Sequence, residues 1–185
     1  MDFEVTQRIQ PELGPTERML WAGRPVQGVI FRKADLILVP FSLMWGGFAI
    51  FWEYAAWSGG APPFFLLFGV PFVLIGLYLI FGRFFADAYI RRHTYYAVSD
   101  ERVLLLKEAF GRNIKSLGLK SISEISLSHR GTDGGIISFG PATPLKAWGN
   151  SRWPGASHSI VPNFDLDSGI NNVYEIIRAA KRDAA

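Results

Sequence analysis

The chain has 185 residues, 49% hydrophobic and 19% charged, with a formal net charge of +3 and a mean hydropathy of +0.18. That mixture describes a part suited to lipid joined to a part suited to water, and its small basic excess argues against nucleic-acid binding by general charge. The absence of cysteine excludes disulfides and thiolate metal centres and suits a reducing compartment.

Residues 1–35 are mostly polar and read as a cytoplasmic N-terminal segment. Two apolar runs follow, 36–57 and 64–85, separated by the loop Ser58-Gly59-Gly60-Ala61-Pro62-Pro63 (58–63). At ~1.5 Å per residue each run makes about 33 Å of helix, enough to cross a hydrocarbon core of ~30 Å. Neither run has the polar face of a surface helix, and the long polar lead argues against a cleaved signal sequence. The first run holds one ionisable residue, Glu53, and the second only Arg83.

Arg8, Arg18, Arg24, Arg32 and Lys33 precede the runs, Arg91 and Arg92 follow them, and the loop has neither Lys nor Arg. The positive-inside rule therefore puts both termini in the cytoplasm and the loop outside. Trp52, Tyr54 and Trp57 gather at the outer end, where amphipathic rings favour the headgroup level. Glu53, one turn from the loop, is expected to reach outer interfacial water. Facing a wet interior between copies, it would instead mark an ion path. Pro40, Gly46, Gly47, Gly69, Pro71 and Gly76 suit kinks or close helix approach, and Gly69 and Gly76, seven apart, share one face.

Beyond residue 86 strand signals dominate. Segments 94–98, 102–107, 113–119, 124–128 and 136–139 are predicted strands joined by tight turns, including Gly131-Thr132-Asp133-Gly134-Gly135. They predict an antiparallel sheet curling toward a barrel. Segment 141–162, with Pro141, Pro144, Pro154 and Pro162, is predicted to be a loop. Its Trp148 and Trp153 would pack over an open barrel edge or meet a partner or lipid headgroups. Ile170, Val173, Ile177 and Ala180 form one apolar stripe of a closing helix, with Asp167 or Ser168 as its cap and Arg178, Lys181 and Arg182 at its negative pole.

Tyr95-Tyr96-Ala97-Val98-Ser99-Asp100-Glu101-Arg102-Val103 resembles the Y-x-[VL]-[ST]-[DN]-x-R-[VIL] opening of bacterial pleckstrin-homology-like (PH-like) domains. Ser123-Glu124-Ile125, and Phe164 ahead of Val173-Tyr174-Glu175-Ile176-Ile177, fit the same pattern. Glu17-Arg18-Met19-Leu20-Trp21-Ala22-Gly23-Arg24-Pro25 resembles the E-x-x-L-W-x-G-x-P lead-in found ahead of paired spans in small membrane proteins carrying such domains. The resemblance implies a membrane protein in which a two-helix transmembrane hairpin is followed by a mainly antiparallel β PH-like barrel of about seven strands (86–185), capped by a C-terminal α-helix. It lends no catalytic residues. The two acids in Ser99-Asp100-Glu101-Arg102 do not suit a phosphoinositide pocket.

The expected function is that of a membrane-anchored binding or scaffold module, not an enzyme, at the cytoplasmic face of a bacterial plasma membrane. Its partners would be the bilayer, anionic lipid or a protein, and a second copy of the chain, with no nucleic acid and no cofactor. The candidate contact surface is Arg91, Arg92, His93, Trp148 and Trp153. Two alternatives stand beside it: a membrane enzyme acting on lipid or peptide through Asp165, Asp167 or a histidine, and a subunit of an oligomeric channel or transporter using Glu53. His93, His129 and His158 are too far apart for a local metal motif, and no metal site is expected.

Overall fold

A computed structural model describes residues 3–31, 35–140 and 163–184. In chain order the elements are α1 (Phe3–Ile9), β1 (Met19–Gly23), α2 (Asp35–Ser58) and α3 (Pro63–Leu77). A π turn at Tyr78–Gly82 carries α3 into α4 (Arg83–Arg92). Then come β2 (Thr94–Ser99), β3 (Arg102–Lys107), β4 (Asn113–Gly118), β5 (Ile125–Arg130), β6 (Gly134–Phe139), β7 (Asn163–Leu166) and α5 (Ile170–Ala184). The chain divides into two compact units: Met1–Gly28 together with Tyr89–Ala185, and Val29–Ala88.

In the first unit, β1-β2-β3-β4 make one antiparallel sheet and β5-β6-β7 another. The period-2 alternation of strands sorts their side chains onto two faces. Tyr96 and Val98 of β2, with Val103 and Leu105 of β3, enter a core shared with Ile137 and Phe139 of β6 and Phe164 and Leu166 of β7. Ile170, Val173, Ile177 and Ala180 of α5 close that core. The Phe164 ring stacks on Tyr96, 4.5 Å between centroids, and meets Phe139 edge-on at 5.3 Å, so one aromatic side chain ties the two sheets together.

The opposite face of the four-stranded sheet is covered as well. Tyr95, Ala97, Leu104 and Leu106 pack with Ala22 of β1 and with Val5 and Ile9 of α1. Burial on both faces explains why β2 and β3 read as nearly continuous apolar runs rather than as alternating ones. The expected barrel is not closed: the described strands form two separate sheets. After β4 the chain turns through Leu119–Ser121, and Leu119 and Ile122 plug into the core instead of continuing the ladder toward β5. A backbone bond from Val26 N–H to the Asp165 carbonyl, 3.0 Å, joins the chain leaving β1 to β7.

In the second unit, α2 and α3 are each long and apolar enough, with α4 continuing α3, to cross a membrane. They meet through a seam of small residues. Ser42, Gly46 and Ala49 recur at i, i+4 and i+7 on α2 and are buried, as are Gly69 and Gly76 on α3. A Cβ built at Gly76 would lie 2.7 Å from Gly46 Cα, so the two backbones touch where neither residue has a side chain. Arg83 and Asp35 close the base of this helix pair with an ion pair of 3.1 Å. α4 ends at Arg92, beyond the apolar run ending at Phe85, and β2 begins at Thr94.

Candidate functional site

The candidate surface residues at the end of α4 divide by burial. Arg91 is 3% exposed, and its Nη2 donates to the Gly28 carbonyl at 2.5 Å. Gln27 Nε2 donates to the carbonyls of Pro25 and, at 3.4 Å, of Arg91. Arg91 is therefore not a surface residue as expected; it holds the chain that leaves β1 against the chain that enters β2. Arg92 is exposed, and His93 is half-buried with its Nδ1 2.9 Å from the Tyr89 carbonyl and its ring 4.4 Å from the Tyr89 ring. Trp148 and Trp153 lie outside the described residues, as does His158.

A second polar node joins the two motif segments. Glu17, whose side chain is fully buried, accepts from Arg102 Nε at 3.0 Å and Nη2 at 2.8 Å, from Gly14 N–H at 2.8 Å and from Ser99 Oγ. Arg102 Nη2 also donates to the Glu12 carbonyl at 3.0 Å. Ser99 Oγ in turn accepts from the Arg102 N–H, tightening the β2–β3 turn. The Arg102 guanidinium, helped by the Gly14 and Ser99 donors, holds the Glu17 carboxyl at a pKa of about 2 against the opposing cost of burial. Every oxygen of this carboxylate is occupied by the protein itself, so the node is a clamp between the N-terminal segment and the β2–β3 hairpin, not a ligand site. Glu17, Ser99 and Arg102 all stand in the motif lines of the sequence; their contact does not.

In the helical unit the half-buried Glu53 side chain lies against Gly69 of α3. Its Oε2 is buried without a hydrogen bond among the described residues, and a Cβ at Gly69 would collide with it. Gly69 is therefore the space into which Glu53 folds. Beside this contact an apolar groove of about 210 Å³ is lined by Trp45, Phe48, Ala49, Trp52, Phe68 and Phe72. With no polar group in its wall it fits a hydrocarbon chain and offers no chemistry to a reacting substrate.

The residues weighed for catalysis are placed as follows. Asp165 is buried and accepts from Arg130 Nη2 at 2.7 Å. Asp167 is exposed near the start of α5, and His129 is exposed on β5. The start of α5 is met by Asp133 rather than by Asp167 or Ser168: its Oδ2 accepts from Gly169 N–H at 2.7 Å, and its carbonyl from Ile170 N–H at 3.2 Å. No group of three or more His, Asp or Glu residues that could hold a metal ion occurs among the described residues. Comparison of the chain with protein-family models, with curated proteins and with solved structures found no match.

Proposed function

We propose that the chain is an integral membrane protein whose α2–α3 hairpin crosses the bilayer twice and tethers a PH-like binding module at the cytoplasmic face of a bacterial plasma membrane. The observation that carries this reading is the surface of the helix pair. Only 17% and 11% of the most apolar stretch of each helix is buried, and Phe41, Met44, Phe48, Phe51, Leu67 and Leu74 are among the side chains left exposed. The core helices of a soluble protein would be mostly covered; a patch this extensive suits burial in lipid.

The sheet supports the two-crossing topology. β1 precedes the hairpin and β2 follows it, yet Trp21 pairs with Val98 and Gly23 with Tyr96 in one ladder. Strands hydrogen-bonded to each other share one aqueous side, so an insertion between them crosses an even number of times. The Lys and Arg on both flanks, by the positive-inside rule, support the cytoplasm as that side. Four- and three-stranded antiparallel sheets backed by a C-terminal helix support the PH-like reading, together with the motif resemblance. Tethering keeps such a module at high local concentration beside the membrane, so weak contacts with anionic lipid or a membrane protein suffice.

Membrane fractionation tests the anchor: the chain should stay in the pellet through alkaline washing and leave it only in detergent. Recovery in the soluble fraction would contradict it. In-membrane crosslinking followed by mild solubilisation tests the binding role, which fails if the chain is recovered alone every time.

A further inference from the structure

We propose that the α2–α3 pair holds a binding site for a single-chain alkylammonium amphiphile, with Glu53 taking the ammonium head and the aromatic groove beside it taking the chain. The site lies wholly within the helical unit and goes beyond the anchoring role. It starts from register. Gly46 meets Gly76 and Glu53 meets Gly69, so residues 46 to 53 of α2 run antiparallel to residues 76 to 69 of α3. The interval between these two contacts is about 10 Å of helix. The groove rings Phe48, Trp52 and Phe72 fall inside it, and Trp45 and Phe68 stand at its ends.

The two ends of the groove differ in chemistry. At Gly46 and Gly76 the helix backbones touch, and nothing polar is presented. At the other end a Cβ built at Gly69 would meet both the Glu53 carboxylate and, at 3.0 Å, the Trp52 ring, so the acid lies beside the last ring of the groove. Phe68 and Phe72, with ring centroids 5.4 Å apart, line the α3 wall. Aromatic faces attract a cation within ~6 Å, and their apolar bodies suit an alkyl chain.

The charge of Glu53 has no counterpart in the spans themselves. Glu53 is the only Asp, Glu, Lys, Arg or His between residues 36 and 82, and Arg83 pairs with Asp35 at 3.1 Å. Glu53 Oε2 is buried and accepts no hydrogen bond among the described residues. A carboxylate among apolar groups is costly until a cation or a donor meets it. An ammonium head supplies both the charge and the N–H donors; a plain hydrocarbon chain supplies neither. Glu53 is half-buried, and Phe48 and Phe68 are exposed, so the site opens at the side of the helix pair. At about 210 Å³ the groove is smaller than the ~300–1,000 Å³ of ordinary ligand pockets, so it admits one slender chain rather than a fused-ring cation.

The full chain in discs of zwitterionic phospholipid would be titrated with octylammonium brominated at its terminal carbon. Quenching of tryptophan emission is the readout, since Trp45 and Trp52 line the groove. A saturable phase is expected for the amine and not for the brominated alcohol of the same length. Binding of the amine to Glu53→Gln should be about tenfold weaker, as for loss of one charge-assisted hydrogen bond. Saturation by the alcohol as strongly as by the amine shows a groove that accepts any hydrocarbon, and overturns the inference. Equal amine binding by Glu53→Gln, or quenching by the amine that never saturates, overturns it too. Should Glu53→Gln fail to fold, the amine and the alcohol compared on the natural chain still decide the outcome. A chain that stays dissolved without detergent contradicts the membrane reading, and the same titration in buffer then decides the site separately.

Discussion

Glu17 and Arg102 stand 85 residues apart and form a two-pronged ion pair, Nε to Oε1 at 3.0 Å and Nη2 to Oε2 at 2.8 Å. The whole helical hairpin lies between them in the chain. Their contact therefore closes the loop that the hairpin opens, fixing the segment before β1 to the turn between β2 and β3. Because the Glu17 side chain is fully buried, it relies on this partner rather than on water. Arg102→Ala strands that carboxylate and is expected to cost about 3 kcal/mol, whereas Glu17→Gln, which keeps the shape and removes the charge, costs less. Thermal unfolding of both variants in detergent checks the order.

The same carboxyl sets an acid limb. Its pKa falls from 4.5 to about 2 on folding. A depressed value means the contribution is fully present above the unfolded value and is lost as pH falls through the folded one. The shift corresponds to about 3 kcal/mol, at 1.36 kcal/mol for each pKa unit. Stability of the natural chain should therefore decline between pH 4.5 and about 2 more steeply than that of Glu17→Gln, measured as the unfolding midpoint against pH.

Gly76 and Gly47 make a matched pair. A Cβ at Gly76 would press on Gly46 Cα at 2.7 Å, while a Cβ at Gly47 meets nothing within 4 Å. Gly76→Ala is expected to destabilise the helix pair by about 1–3 kcal/mol through forced separation of the backbones. Gly47→Ala is expected to be neutral or to stabilise by up to ~1 kcal/mol through helix propensity. Unfolding in detergent, followed by helix content, separates the two.

Asp133→Ala removes the carboxylate that accepts from the Gly169 N–H at the start of α5. A loss of about 1 kcal/mol is expected, as for a removed helix cap. Asp167→Ala should change the melting temperature little by comparison, since the Asp133 carboxylate occupies that helix start.

The apolar runs and five of the strands are legible because each signal is local: helix length, short runs of β-favouring residues and tight turns between them. β1 is not legible. Its five residues, Met19–Gly23, become a strand through pairing with β2 across the hairpin, a partner that no local window contains. α1 hides for a related reason: Val5 and Ile9 are four apart, but the face they cover exists only once β2 and β3 are assembled. Asp133 caps α5 from a turn 36 residues away, so the nearer Asp167 and Ser168 draw the eye first. At the end of α4 the pattern Arg91-Arg92-His93 suggests one basic surface, yet helical geometry turns the first arginine inward onto Gly28 and leaves the second outside. Residue type marks the region; the direction of each side chain needs the fold.

The most direct test of the account is which side of the membrane each part occupies. Ser58→Cys, at the tip of the hairpin, and Glu101→Cys, in the β2–β3 turn, are both exposed positions in a chain without other cysteines. In intact cells a membrane-impermeant maleimide should label Ser58→Cys at once and Glu101→Cys only after permeabilisation. Labelling of both from outside, or of Ser58→Cys only after lysis, would contradict a hairpin that crosses the bilayer twice and returns to its own sheet.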